Sequence, residues 1–201
     1  MIIQIDRKEC LATYPKFPTT DEYRNKFYYP DVFKGYTLTV TAASIHQQIK
    51  QVAIGLITIA ESINIDTLIF LGDTTTALRY QDNEYKPVKD SLLFLKNNKI
   101  GKRYNGAMEI AVTELPVFLK HIFWLTRCNT AFPKVHFMDK EQRIVGDICK
   151  YGNLHLQTID KKTDKIVSAI ISTRNFSQVD ERGCYNHFST SSAIKGRKTI
   201  A

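Results

Sequence analysis

The stretch KVHFMDKEQRIVGDICKYGNLHLQTIDKKTDKIVSAIISTRNF, residues 134–176, alternates short apolar runs with polar breaks at close intervals. The breaks are DKEQ at 139–142, GN at 152–153 and DKKTDK at 160–165. Apolar runs of strand length separated by turn residues are typical of antiparallel strands joined by hairpins. The stretch therefore predicts a C-terminal antiparallel β-meander.

The part of the chain that precedes this stretch has a mainly helical pattern. Between residues 45 and 63 the apolar residues recur at spacings of three and four, and Ser44 followed by Gln47 fits a capping box. A second helix is predicted after Pro87, which suits the first turn of a helix. A third is predicted over 115–125, where apolar residues cover nearly all sides, as in a central helix.

Short apolar runs at 2–5, 36–40 and 67–71 predict additional strands. Together these patterns predict an α+β fold whose first two-thirds are mainly helical and whose C-terminal meander packs on the helices. We expect a single domain over residues 1–190, followed by a basic, flexible tail over 191–201.

The chain carries 28 Lys and Arg residues against 20 Asp and Glu residues, which gives a net charge of +8. A basic protein attracts acidic partners such as nucleic acid, anionic lipid or an acidic protein surface, although a merely solvated lysine-rich face has the same composition. The four cysteines lie far apart with no CxxC pair, which favours reduced thiols and a cytoplasmic location. No apolar run approaches the about 20 residues of a membrane span, so we expect no membrane partner.

A basic run in the middle of the chain, interleaved with aromatic residues, is the main candidate for a binding surface. The aromatic segment 11–36 is a second one. Such residues can track a phosphate backbone or dock on an acidic protein surface, and the alternative is a solvated helix face with its loop. The predicted contact residues are Lys86, Lys89, Lys96, Lys99, Lys102, Arg103, Tyr85 and Tyr104 of the run, with Tyr28 and Tyr29 of the aromatic segment.

Two histidines of the meander, His136 and His155, are candidate catalytic residues in an alternative interpretation, with Lys150 nearby. A metal-independent ribonuclease needs a base, an acid and a cation that stabilises the phosphorane charge. A basic α+β chain with helices first and a meander last is similar in architecture to small bacterial ribonuclease toxins. The predicted register argues against the pair, because a turn at 152–153 pairs Lys150 with His155 and puts the two histidines on opposite faces.

Two smaller constellations are interpreted as structural. Asp73 follows an apolar run and precedes three threonines, but one carboxylate is too few for a metal site, and Asp–Thr pairs are common in turns. Cys184 and His187 suggest an activated thiolate, yet the members of a catalytic dyad usually come from distant parts of the chain. No metal site and no cofactor are predicted.

The chain contains no phosphate-binding loop, dinucleotide-binding glycine motif, serine-hydrolase elbow or zinc-protease helix motif. In general character it resembles the immunity proteins of bacterial toxin–immunity systems of the contact-dependent growth inhibition type. That resemblance implies a cytosolic protein that binds and neutralises one cognate toxin domain, without a cofactor and without turnover. The basic charge departs from inhibitors of nucleases, which tend to be acidic, so we expect a toxin domain with an acidic surface.

We therefore predict a non-catalytic protein inhibitor. The alternatives are an RNA-binding protein or a ribonuclease that uses His136 and His155, and a structural subunit of a larger assembly.

Overall fold

An eight-stranded sheet in which every neighbouring pair of strands is antiparallel organises the molecule. The structure is a computed structural model that describes residues 2–21, 26–28, 31–173, 176–179, 183–185, 188 and 193–198. The strands are β1 (Ile3–Ile5), β2 (Thr19–Asp21), β3 (Lys26–Tyr28), β4 (Lys34–Val40), β5 (Thr67–Gly72), β6 (Ala107–Ala111), β7 (Val135–Asp139), β8 (Ile144–Ile148), β9 (Leu154–Thr158) and β10 (Phe176–Gln178). Their order across the sheet is β1-β6-β5-β7-β8-β9-β4-β10, while β2 and β3 form a separate hairpin.

In the part of the chain that the structure describes, five α-helices flank the sheet and fill its two faces unequally. They are α1 (Arg7–Thr13), α2 (Ile45–Ser62), α3 (Lys86–Asn97), α4 (Leu115–Cys128) and α5 (Lys161–Thr173). The larger core joins α2, α3, α4 and α5 to sheet residues such as Leu38, Phe70 and Phe137. On the other face, a small cluster around Cys10 and Phe17 covers the part of the sheet near β5 and β7. Polar side chains can therefore occupy the remainder of that second face.

The longest helix forms as its sequence predicts. The Ser44 hydroxyl accepts a hydrogen bond from the Gln47 amide at 3.3 Å, and the Gln47 side chain accepts one from the Ala43 amide at 2.9 Å. This reciprocal cap satisfies amides that have no partner within the helix. The apolar stripe of α2 is buried against β4 and α4, as its period of three and four residues indicates.

The predicted C-terminal meander after a helical first part is wrong. Strands β1, β4, β5 and β6 from the first two-thirds of the chain make half of the large sheet. The last predicted strand of the meander is the helix α5, in which the partly buried Ile166, Ile170 and Ile171 face the core. The β-branched residues suggested a strand, but their spacing of four residues suits a helix, and tertiary packing decides between the two.

The described part of the C-terminal tail contacts the body of the protein. Ile194 is buried, and the Lys198 amide donates to the Cys128 carbonyl at the end of α4 at 2.9 Å. None of the helices in the described ranges has the length and apolarity that crossing a membrane requires.

Candidate functional site

Three polar side chains lie side by side on the face of the sheet opposite α2 to α5. His136 of β7 is the direct partner of Asp147 of β8, and Asp147 is in turn the direct partner of His155 of β9. Residues directly opposite each other on neighbouring strands project from the same face. The sheet therefore brings both predicted histidines together, with a carboxylate between them.

This arrangement overturns the register predicted for the hairpin between β8 and β9. Ile148 pairs with Leu154, so residues 149–153 form a five-residue connection and not a two-residue turn. His155 consequently pairs with Asp147 and not with Lys150, a shift of three positions. An odd shift moves a side chain to the other face, so the argument that His136 and His155 lie on opposite faces was wrong.

The connection 149–153 is held in place by side chains of α2 and α4. Gly152 adopts a positive φ of 86°, and its carbonyl accepts a hydrogen bond from the Gln48 side chain of α2 at 3.3 Å. The Arg127 guanidinium of α4 donates to the Lys150 carbonyl at 2.6 Å, and the Lys150 ammonium lies over the Tyr151 ring, 5.0 Å from its centroid. These contacts position Cys149, the first residue of the connection.

A thiol from the C-terminal segment completes a cluster at the edge of the polar row. The Cys184 Sγ lies 3.3 Å from the His155 Nε2. One side-chain atom from each of Cys149, His155 and Cys184 lies within 4.8 Å of the other two. Both thiols are free and partly exposed. We call Cys149, His155 and Cys184 the thiol–imidazole cluster.

The pKa of one thiol in the cluster is lowered, whereas the pKa values of the other thiol and of the imidazole are raised. The hydrogen bond from Cys149, and then the one from His155, lower the pKa of Cys184 to about 4. The same bond to Cys184, together with burial, raises the pKa of Cys149. Burial alone favours a neutral His155, but Cys184 and the negative charge of Asp147 outweigh it and raise the pKa of His155. These shifts favour the thiolate at Cys184 and the protonated thiol at Cys149.

Asp147 extends the site toward β7. Its carboxylate is 1% exposed and lies 3.1 Å from the Lys134 ammonium and 3.8 Å from the His136 Nδ1. Burial lowers the pKa of His136 to about 4, so this ring is neutral at pH 7. Lys134 thus supplies a full positive charge that compensates the buried carboxylate.

The ligand set and its spacing fit a zinc ion. Zinc binds thiolate sulfur at about 2.3 Å and imidazole nitrogen at about 2.0–2.1 Å, usually with tetrahedral geometry. Ligand atoms around such an ion lie about 3.5–3.8 Å from one another, by the geometry of those bond lengths. The thiol–imidazole cluster comes within a few tenths of an ångström of this at the 3.3 Å contact of Cys184 with His155. The other two separations among these three atoms also lie within 4.8 Å.

The structure divides the predicted binding surface in two. Lys86 pairs with Asp90 at 3.0 Å, and Lys89 pairs with Glu84 at 2.8 Å. Tyr85 packs edge-on against the ring of Trp124, with the centroids 6.2 Å apart. The side chains of Lys86, Lys89 and Tyr85 thus each have a partner within the protein.

The remaining residues of the basic run differ in their surroundings. The Tyr104 hydroxyl accepts from the Ile5 amide at 3.1 Å and donates to the Ala107 carbonyl, so this side chain fastens β1 and β6. An exposed group of cations lies at the end of α3 and in the loop after it. It consists of Lys96, Lys99, Lys102 and Arg103. We call these four residues the basic patch.

Three residues singled out in the sequence have their side chains outside the described part of the structure. Tyr28 lies in β3 without a described side chain, and Tyr29 and His187 lie outside the described residues. Asp73, by contrast, has a structural role: its carboxylate accepts from the Lys134 amide at 2.9 Å and connects the ends of β5 and β7.

The cluster was missed in the sequence because its members are dispersed. Cys149 belongs to no motif, and the nearest histidine to Cys184 in the sequence is His187, which is not part of the cluster. The usable signal is a Cys–x5–His spacing across a glycine-containing turn, which places both side chains at one hairpin end. Comparisons with protein-family models, with curated proteins and with solved structures gave no match.

Proposed function

We propose that the protein binds one zinc ion through Cys149, His155 and Cys184. The observation that carries the proposal is the convergence of two sulfur atoms and one imidazole nitrogen within 4.8 Å of one another. Sulfur and imidazole are the ligands that zinc prefers, and a thiolate is the form that binds the metal. In this role, the ion connects the C-terminal segment to the β8–β9 hairpin.

Two features of the sheet prepare the site for a metal. His155 is held between two strands, since it pairs with Thr37 of β4 on one side and Asp147 of β8 on the other. Asp147 places a buried negative charge beside the imidazole, and carboxylates next to a ligating histidine increase its basicity. The metal would therefore meet an imidazole whose position the sheet fixes before binding.

Metal analysis of the purified protein tests the proposal. We expect one zinc per chain after loading with zinc and dialysis, and a thiolate-to-metal charge-transfer band when cobalt replaces zinc. Cys184→Ser and His155→Ala should weaken binding by more than the roughly 10- to 100-fold that loss of an outer-shell partner costs. Cys10→Ala and Cys128→Ala are matched controls, since both thiols are buried away from the cluster.

Two outcomes would contradict zinc binding. One is a protein that remains metal-free under stoichiometric zinc. The other is metal that is retained when Cys149 and Cys184 are both replaced by serine. In the first case, rapid alkylation of Cys184 by iodoacetamide at pH 6 would identify the cluster as a nucleophilic thiolate instead, because the low pKa of Cys184 keeps it ionised there.

A second candidate function is the binding of an acidic partner by the basic patch. Lys96, Lys99, Lys102 and Arg103 are exposed, and none of them forms an ion pair with another described residue. Uncompensated cations speed the approach of an acidic surface and select it against a basic one. We propose that a toxin domain with an acidic surface is this partner, as the resemblance to immunity proteins implies.

Binding assays with two model polyanions separate the candidate partners of the basic patch. Poly-L-glutamate stands for an acidic protein surface, and tRNA stands for nucleic acid. Preferential, salt-sensitive binding of poly-L-glutamate that weakens in Lys96→Glu/Lys102→Glu supports the protein partner. Tighter binding of tRNA, or cleavage of tRNA that His155→Ala abolishes, contradicts it. Lys161→Glu/Lys162→Glu on the exposed surface of α5 is the control.

A further inference from the structure

A cavity of about 380 Å³ opens between α2 and α4, on the helical side of the sheet. It is lined by the N-terminal part of α2 and by the first three turns of α4, away from the imidazole of His155 on the opposite face of the sheet. Its lining residues are Ile45, His46, Ile49, Lys50, Pro116, Val117, Lys120, Phe123 and Trp124. A volume of this size suits a small molecule, since ligand pockets span about 300–1,000 Å³.

The floor of the cavity is apolar and closely packed. Ile49, Phe123 and Trp124 are between 1% and 5% exposed, and they belong to the main core. The Phe123 and Trp124 rings pack edge to face with centroids 5.3 Å apart. Val117, at 56% exposure, extends the apolar surface to the rim. The floor therefore offers an apolar surface that is continuous with the core.

The rim of the cavity is positively charged. Lys50 projects from α2 and Lys120 from α4, and both are exposed. His46 adds a polar ring, 5.0 Å from the Trp124 ring. The described residues that line the cavity include no carboxylate, and neither lysine forms an ion pair with a described residue. The charge of the rim is thus available to an anionic group.

We propose that this cavity binds a small amphiphilic anion, with its apolar body on Ile49, Phe123 and Trp124 and its acidic group between Lys50 and Lys120. A few convergent polar groups on a largely apolar pocket are the usual composition of a ligand site, and the two cations select an anion over a neutral analogue. This site is separate from the thiol–imidazole cluster, so it does not depend on zinc.

The only tryptophan of the chain reports directly on the cavity, because Trp124 lines it. Octanoate and octan-1-ol are matched probes with similar apolar bodies, of which only octanoate is charged. We expect octanoate to cause a saturable change in tryptophan fluorescence and octan-1-ol to bind at least about fivefold more weakly, as expected for two partly exposed charge pairs.

Charge-removing variants locate the anion. Lys50→Gln/Lys120→Gln should weaken octanoate binding about five- to tenfold and leave octan-1-ol unchanged. Lys161→Gln/Lys162→Gln on α5 removes the same charge elsewhere and should leave both unchanged. Equal binding of the two probes, equal affinity in both double variants, or no saturable change with octanoate would each overturn the proposal. Thermal unfolding of each variant confirms that all are folded, since the four lysines are exposed.

Discussion

Among single side chains, Asp164 places a buried carboxylate between hydrogen-bond donors from two strands. It is 9% exposed and accepts hydrogen bonds from the Tyr36 hydroxyl at 2.6 Å and the Thr158 hydroxyl at 3.1 Å. Burial and then the bond to Asp164 raise the pKa of Tyr36, which keeps its hydroxyl protonated as a donor. One carboxylate thus joins α5 to β4 and β9.

Replacing Tyr36 with Phe removes a donor from this carboxylate while preserving the ring. We expect the free energy of unfolding to fall by about 1–3 kcal/mol, the cost of leaving a buried polar group without its partner. Urea denaturation measures the change. Tyr80→Phe is the control, because Tyr80 is 70% exposed and should change stability by less than about 0.5 kcal/mol. Equal stability of the two variants would show that the hydrogen bond contributes nothing.

The imidazole of His121 makes stability depend on pH. Its ring stacks on Phe94 at 4.2 Å, and its Nδ1 lies 3.1 Å from the Ser91 hydroxyl. Burial lowers the pKa of His121 from 6.5 to about 4. The unfolded chain therefore binds this proton at a higher pH than the folded chain. The neutral His121 ring therefore makes its full contribution to the free energy of unfolding above pH 6.5, and this contribution is lost as the pH falls toward 4.

Comparing the protein with His121→Gln isolates this effect from that of other histidines. Between pH 7 and pH 5, the native protein should lose about 1 kcal/mol more stability than the variant, after allowance for the partial exposure of the ring. Urea unfolding at both pH values gives the two differences. If they are identical, His121 titrates alike in the folded and unfolded chains.

Among the secondary-structure elements, α5 begins after a cap, Asp160, that lies in the segment 160–165 predicted as a turn. The Asp160 carboxylate accepts from the Thr163 amide at 2.8 Å and from the Thr163 hydroxyl at 2.7 Å. We expect Asp160→Ala to cost about 1 kcal/mol of stability and Asp160→Asn to cost much less, because Asn also caps helices. Urea unfolding of both variants provides the measurement. A similar loss in both would indicate that charge, and not capping, is what Asp160 contributes.

The elements that the sequence predicts well are those in which local and tertiary preferences agree. In α2 the period, the Ser44 cap and the buried stripe all indicate one helix. In α5 the β-branched residues favour a strand, and only the Asp160 cap and packing against the sheet decide for a helix. At 152–153 the glycine suits a tight turn, but Gln48 and Arg127, from distant helices, hold a longer connection. Such contacts lie outside any local pattern.

The same reason limits what the sequence says about the site. His136 and His155 are recognisable as candidates, but their relation depends on a register that shifts by three residues. Cys184 lies 29 residues after His155, beyond a helix and a strand. Only the fold brings the Cys184 sulfur to the His155 imidazole. The spacing of cysteines and histidines along the sequence therefore does not predict a metal site.

For the molecule as a whole, the zinc ion proposed for the thiol–imidazole cluster would join the C-terminal segment to the sheet. A ligand that binds only the folded chain stabilises it by about 4 kcal/mol when its concentration is 1,000 times its Kd. We therefore expect zinc to raise the midpoint of thermal unfolding and EDTA to reverse the rise. Cys184→Ser should show no such shift, whereas Cys10→Ala should retain it. A shift that persists in Cys184→Ser would locate the zinc elsewhere.

The order of strands in the sheet carries a consequence for how the chain matures during synthesis. β4, made early, pairs with β9 and β10, which leave the ribosome more than a hundred residues later. Since synthesis adds about 5–20 residues per second, the backbone groups of β4 that pair with β9 and β10 lack these partners for on the order of ten seconds. Native pairing at such long sequence separation is also slow once it begins. A nascent chain with this strand order thus exposes the edges of β4 until β9 and β10 have been synthesised.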